Sequence, residues 1–186
     1  MAGMLGQKNT YIITMHSLIR IFAGYTAAFV TAVLAGLAAG YVRAVRIMSA
    51  PLISAMQALP VTAFIILVLM IAGAKNVSAV IAFIVVFPVV YHGMVQGIDN
   101  MDKNLAQMAD VFNIHGMRRF RYISLMQCIP YIRTAVKSSA GMCWKAGAAA
   151  EVIGLTRNSI GEQMYLAKLY LETVSYTHLR AHETPE

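Results

Sequence analysis

Three long runs without Asp, Glu, Lys or Arg dominate the first half of the chain. They cover residues 21–42, 47–74 and 76–98, and each consists mainly of Ala, Val, Ile, Leu and Met. A helix needs about 20 apolar residues to cross a bilayer, so each run is long enough. Backbone groups in lipid have no water to bond, and helices are therefore the expected structure. We predict spanning helices near 18–41, 51–73 and 77–98.

A fourth apolar segment, 131–154, is weaker because it contains Arg133, Lys137, Lys145 and Glu151. Charged residues at the centre of a helix oppose insertion, so this segment would insert poorly alone. With it, the pattern predicts an all-α, polytopic helical bundle of about four spanning helices. Pro60 and Pro88 fall inside the second and third spans and are expected to bend them.

Small residues recur every four positions in the first span, which places them along one face of the helix. They are Gly24, Ala28, Ala32, Gly36 and Gly40, and the fourth segment repeats the spacing at Ala146, Ala150 and Gly154. Faces of this kind let neighbouring backbones approach closely in membranes. We interpret both as helix-packing surfaces.

The composition agrees with a membrane protein and excludes other classes. The apolar fraction is 59%, the charged fraction is 12%, and the mean hydropathy is +0.63. A soluble domain typically has about 25% charged residues. The net charge of +7 is scattered between apolar runs rather than clustered as in a nucleic-acid binder. The sequence has two isolated cysteines and shows neither a P-loop nor metal-ligand spacing. We therefore predict that the protein is not an enzyme and has no cofactor or metal site.

The basic residues also predict an orientation. Lys and Arg concentrate in the loops 42–50 and 99–130, whereas the loop around Asn76 carries only Lys75. Cytoplasmic loops of membrane proteins carry an excess of Lys and Arg. We therefore predict that loops 42–50 and 99–130 are cytoplasmic.

The loop 99–130 contains a short amphipathic segment. Asn104 to Ile114 is predicted to be a helix that is too short to span, with Asp102 or Asn104 as its cap. Its apolar stripe consists of Leu105, Met108, Ala109 and Phe112, spaced i, i+3, i+4, i+7. Two interpretations remain open on periodicity alone: a helix lying on the membrane surface, or a docking element for a cytoplasmic partner.

The same loop resembles the EAA loop of type I, binding-protein-dependent ABC importer permeases. The family pattern is Glu-Ala-Ala, three residues, Gly, nine residues and Ile-x-Leu-Pro. At that spacing the sequence has Gln107-Met108-Ala109, then Asn113, then Ile123-Ser124-Leu125-Met126. Ala109, Ile123 and Leu125 are identical to the pattern. Asn is the best non-Gly residue for a left-handed turn, so Asn113 can preserve the turn.

The resemblance extends from about residue 17 to residue 174. The order of three spans, loop and further span is similar to the permease core, and the segment 57–61, Gln-Ala-Leu-Pro-Val, is similar to a proline-containing segment of the family. Residues 139–154 look most like the nitrate/sulfonate/taurine branch. Permeases of this branch usually have a further helix at each end. We expect 1–174 to be a partial transmembrane domain and 175–186 to be a foreign tail.

The resemblance implies a transporter subunit without its own ATPase site. It implies two permease copies, two cytoplasmic ABC ATPase subunits and an extracytoplasmic solute-binding protein at the bacterial cytoplasmic membrane. The coupling residues carried over are Leu105, Gln107, Met108, Ala109, Phe112, Asn113, Ile123 and Leu125. The solute would be a small one, such as nitrate, a sulfonate or taurine. An importer for a vitamin precursor and a structural or scaffolding membrane protein remain as alternatives.

Three residues are candidates for the translocation path: Gln57, Pro60 and Lys145. A Lys near the centre of a spanning helix is costly, so Lys145 should face protein or water. It could attract an anionic substrate, or it could pair with Glu151 across the bundle. Gln57 could line the path, or it could have a packing or capping role near Pro60.

Overall fold

The computed structural model describes residues 2–113 and 116–170, and this part is helical apart from short connections. The tail predicted at 175–186 lies outside the described residues. A π-helical turn, Phe120–Ser124, joins α6 to α7, and residues 160–170 form helix α8. The other helices are α1 Ala2–Tyr41, α2 Arg43–Ala58, α3 Val61–Ala72, α4 Val77–Asp99, α5 Lys103–Val111, α6 Gly116–Arg119 and α7 Leu125–Gly154.

Helix α4 is the centre of the bundle and packs along α1 on one side and α7 on the other. The face predicted from small residues in α1 is this interface, since Ala28 and Ala32 are fully buried. A Cβ atom added at Gly36 would lie 2.7 Å from the Cβ of Met94 in α4. In α7, Ala150 is likewise fully buried. The small residues therefore set how closely the helices approach.

The second predicted span is interrupted at Pro60. Leu59 and Pro60 are extended, so α2 ends at Ala58 and α3 begins at Val61. The two helices are bent by 103° at this break. The predicted bend is confirmed, because proline removes a backbone donor and restricts the preceding residue to extended conformations. Pro88 differs, since α4 continues through it and its ring is buried.

Within the described residues, α4 and the 11–41 part of α1 are long and apolar enough to cross a membrane. The pair α2 and α3 adds a third span if the two form one broken crossing. Helix α7 has 30 residues but carries four charged side chains, and it is not among the candidate spans. The fourth span predicted at 131–154 stays a prediction, although α7 packs along α4. The described part of the chain is all-α, and the protein is a multi-pass membrane protein.

The two ends of the bundle carry different loops. At one end, Arg46 Nη1 and Nη2 donate to Asp99 Oδ1 and Oδ2 over 2.9 and 2.7 Å. The prediction that 42–50 is a loop is wrong, because only Val42 separates α1 from α2 and Arg46 lies in the first turn of α2. The ion pair places the start of α2 beside the end of α4, from which the segment 99–130 continues. At the other end, the hydroxyl of Thr156 donates to the carbonyl oxygen of Ala74 over 2.8 Å. The α3–α4 loop and the end of α7 therefore meet there.

Candidate translocation groove and coupling loop

A cavity of about 550 Å³ opens between α2, α4 and α7. Its floor lies where α4 and α7 approach closely, because a Cβ at Gly93 would be 2.8 Å from the Cβ of Ala135. We call this cavity the polar groove. It is lined by Gln57, Val89, His92, Gly93, Gln96, Pro130, Tyr131, Thr134, Ala135 and Ser138.

The groove offers hydrogen bonds without a fixed charge. Its lining includes five exposed polar residues: Gln57, His92, Gln96, Thr134 and Ser138. Hydroxyl, amide and imidazole groups can take part in hydrogen bonds as donors and as acceptors. A polar solute could exchange its water for these groups without being held by a strong ion pair, which suits a path that must also release it.

Of the predicted path residues, Gln57 lines the groove, whereas Pro60 and Lys145 do not. Pro60 acts on the backbone, because the break that it starts ends α2 one residue after Gln57. Lys145 is exposed and lies on the side of α7 that carries Thr134 and Ser138. At 3.6 residues per turn, Thr134, Ser138, Gly141 and Lys145 fall within about 60° of arc. Lys145 is therefore two turns, about 10 Å, beyond Ser138 along this face.

The alternative that Lys145 pairs with Glu151 is wrong within one copy of the chain. Glu151 is fully buried, and its Oε2 accepts a hydrogen bond of 2.7 Å from the hydroxyl of Ser17 in α1. The backbone N–H of Ile160 donates to the same hydroxyl oxygen over 3.0 Å. Glu151 therefore joins α7, α1 and the start of α8, while Lys145 lies exposed on another face of α7.

The predicted coupling helix is present as α5, slightly shorter than expected, and Asp102 caps it. The backbone N–H of Asn104 donates to Asp102 Oδ1 over 2.8 Å, which is a standard N-cap bond. Leu105, Met108 and Phe112 are exposed by 42%, 54% and 65%. Gln107 is exposed as well, and the side chain of Ala109 lies outside the described residues. Three members of the predicted apolar stripe are therefore largely exposed in the part of the chain that the structure describes.

The turn after α5 adopts the conformation that the Asn substitution predicted. Asn113 has φ of 56°, in the left-handed region where Gly and Asn are best tolerated. Beyond it, Ile123 and Leu125 are half-buried where the π-helical turn enters α7. The backbone N–H of Asp102 donates to Gln127 Oε1 over 2.6 Å. The start of α5 is thus tied directly to the first turn of α7.

Comparison with known proteins agrees with this arrangement. The family model for the binding-protein-dependent transport system inner membrane component matches residues 20–173, which is most of the chain. The chain belongs to this family. The match covers α1 from Arg20 onward, the loop with α5, and α7, so the groove and the exposed stripe both lie within the family domain.

A relative from Methanocaldococcus jannaschii, provisionally named an ABC transporter permease protein, is 25% identical over 160 residues. The aligned part is 86% of this chain and 60% of the relative. The chain therefore spans about three fifths of the length of the relative that it matches. As a member of the matched family, the chain is a membrane component of a transport system.

Four polar residues that line the groove were not predicted from the sequence: His92, Gln96, Thr134 and Ser138. His92 and Gln96 are four residues apart in α4, and Thr134 and Ser138 are four residues apart in α7. This spacing places the two residues of each pair on one face of their helix. That spacing was a usable signal within each helix, but the sequence does not show that the two faces meet.

Proposed function

We propose that the protein is the permease subunit of an ATP-driven ABC importer and that the polar groove is part of its translocation path. The observation that carries the proposal is the groove itself, a cavity between three helices of a transport-system membrane component, with five exposed polar side chains in its lining. It lies toward the end of the bundle where α7 begins, and α5 lies at that end. The proposed translocation path and the proposed ATPase-coupling helix α5 would therefore be adjacent.

The proposed assembly contains two copies of this subunit, two cytoplasmic ABC ATPase subunits and an extracytoplasmic solute-binding protein. It would lie in a bacterial cytoplasmic membrane, with residues 42–50 and 99–130 facing the cytoplasm. The ion pair of Arg46 and Asp99 supports a common side for these two segments. The positive-inside rule supports the assignment of that side to the cytoplasm.

The proposed coupling site is the loop 104–126. Leu105, Met108 and Phe112 would enter an apolar groove of the ATPase, as helix-in-groove contacts do in general. The bond from Asp102 to Gln127 would pass a displacement of α5 to the first turns of α7. Those turns carry Pro130, Tyr131 and Thr134, which line the polar groove. Movement of the ATPases would thereby change the shape of the path.

The proposed solute is a small anion, such as nitrate, a sulfonate or taurine. Lys145 supports this assignment, because it lies exposed on the α7 face that continues from the groove. A lysine at such a depth is costly unless it meets water, protein or an anion. In the assembled protein this face would form the wall of the path beyond Ser138.

The coupling proposal is tested with Met108→Glu in the full chain, co-expressed with a cognate ATPase and solute-binding protein. A new carboxylate in an apolar contact would lose the burial of the Met side chain, worth about 1.5–3 kcal/mol. We expect co-purification of the ATPase to fall at least tenfold, with membrane insertion unchanged. Lys103→Glu introduces a carboxylate about 140° away around α5 and should have little effect.

The competing interpretation, a helix lying on the lipid surface, predicts a different result. Met108→Glu would then weaken membrane contact of the loop while the ATPase complex stays intact. Retention of both ATPase binding and transport at the unmodified level would refute the docking assignment. The scaffolding alternative is tested separately, by solute uptake with the unmodified chain.

A further inference from the structure

A second cavity, of about 460 Å³, lies at the end of the bundle opposite α5. Three cationic side chains from three separate segments line it: Arg20 of α1, Lys75 of the α3–α4 loop, and Arg157 after α7. Asn158 adds an amide to the same wall. We call this cavity the basic recess. Cations distant in the sequence rarely converge without a counter-charge, because their mutual repulsion opposes it.

Arg20 is the most informative of the three. Its Nη1 atom is buried yet has no hydrogen-bond partner among the described residues. A buried donor on a charged group is costly to leave unpaired, so an acceptor oxygen is expected at this position. Arg20 is 21 residues before Tyr41, which places it about 30 Å along α1, near one edge of the hydrocarbon layer.

Two carboxylates lie close to the recess in the fold. Glu151 is bonded through Oε2 to Ser17, which precedes Arg20 by one turn of α1, whereas its buried Oε1 has no hydrogen-bond partner among the described residues. Glu162 Oε2 accepts a 2.7 Å hydrogen bond from the backbone N–H of Asn158. Neither carboxylate is among the residues that line the recess. The described lining of the recess therefore carries three cationic side chains and no carboxylate.

The backbone segments that form the walls of the recess are fixed by hydrogen bonds and turns. The hydroxyl of Thr156 donates to the carbonyl oxygen of Ala74, which joins the wall after α7 to the α3–α4 loop. Leu155 and Asn158 have φ of 45° and 54°, so two left-handed turns shape the segment between them. Asn tolerates this region, whereas a left-handed Leu persists only where the surrounding structure enforces it.

We propose that the basic recess is a binding site for a small oxyanion, such as a carboxylate, sulfonate, sulfate or phosphate. The inference rests on the proposed importer function and deepens it, because it gives the proposed anion a binding site at the end of the bundle where an extracytoplasmic solute would arrive. Planar guanidinium groups bind two oxygen atoms of such anions at once, and Arg20 and Arg157 provide two of them. The volume suits a small anion with some of its water.

The binding test uses the full chain in nanodiscs of phosphatidylcholine, with ³⁵S-labelled sulfate as the probe in a scintillation-proximity assay. We expect saturable binding that methanesulfonate displaces. Arg20→Gln and Arg157→Gln should each weaken sulfate binding at least tenfold. Lys137→Gln is the matched control, since it removes an exposed charge from α7 outside the recess, and it should leave binding unchanged. Circular dichroism is used to check that each variant folds. If Arg20→Gln misfolds, Arg157→Gln still tests the site, because Arg157 is exposed and its replacement should not disturb folding.

Two results would overturn the proposal. The first is that the unmodified chain does not bind sulfate, or that Arg157→Gln and Lys137→Gln reduce sulfate binding to the same extent. The second is a recess that holds a lipid headgroup: no sulfate binding in phosphatidylcholine discs, with retention of phosphatidylglycerol that depends on Arg20 in native mass spectrometry. Either result leaves the permease function standing if uptake and ATPase binding persist. Loss of ATPase binding with sulfate binding intact would instead count against the coupling site and leave the recess assigned.

Discussion

Gly24→Ala tests whether the small-residue face of α1 sets the distance to α4. The added Cβ would overlap the carbonyl oxygen of Ala79 and would lie 2.9 Å from both its C and Cα atoms. Carbon atoms in contact are about 3.5–4.0 Å apart. The helices must therefore separate locally by about 0.6–1 Å, because the obstructing atoms are backbone and cannot rotate away.

The cost follows from overpacking in a close-packed interface, which is typically about 1–3 kcal/mol. Alanine offsets part of it, since replacing Gly within a helix stabilises by about 0.5–1 kcal/mol where space allows. We expect a net loss of about 0.5–2 kcal/mol from these two terms. Thermal unfolding of the purified chain in detergent, followed by intrinsic fluorescence, should show a lowered Tm.

Gly141→Ala is the matched control, because it makes the same substitution in α7 where a Cβ would meet open space. It should leave the Tm unchanged or raise it slightly. Equal Tm values for Gly24→Ala and Gly141→Ala would refute the assignment of the α1 face as a tight α4 contact.

Three further predictions follow from the loop, the buried carboxylate and the orientation. Asn113→Val should destabilise the loop by about 1–2 kcal/mol, because a β-branched residue opposes the left-handed conformation, whereas Asn113→Gly should keep ATPase coupling in a hydrolysis assay. Glu151→Ala should lower the Tm through a loss of about 1–3 kcal/mol, since it removes the acceptor of the buried Ser17 hydroxyl, and Glu151→Gln, which retains an acceptor oxygen, should lower it less. An impermeant thiol reagent applied outside intact cells should label Asn76→Cys and not Asn100→Cys, and labelling of the latter would reverse the orientation.

Much of the local structure could be predicted from the sequence. The break at Pro60, the cap at Asp102 and the left-handed turn at Asn113 all appear where the residue types indicated them. Each depends on the dihedral preference or hydrogen-bonding capacity of one residue and its immediate neighbours. The packing face of α1 was predictable for a similar reason, because a spacing of four defines a helix face regardless of what it contacts.

The polar contacts between helices came from the tertiary structure. Ser17 and Glu151 are 134 residues apart, and no pattern along the chain links them. The groove needs the face of α4 with His92 to meet the face of α7 with Thr134. Both faces are visible in the sequence, but their meeting depends on the rotation and register of the packed helices.

The same reason separates the charged residues of the sequence from the sites that they form. Arg20 and Lys75 mark the ends of apolar runs, and the sequence determined that both lie near a membrane edge. Which edge residues share a cavity with Arg157 depends on how far each helix extends before it turns. Helix length and turn type are local properties. The convergence of three chain segments on one recess is a property of the assembled bundle, because it depends on how the helices pack against one another.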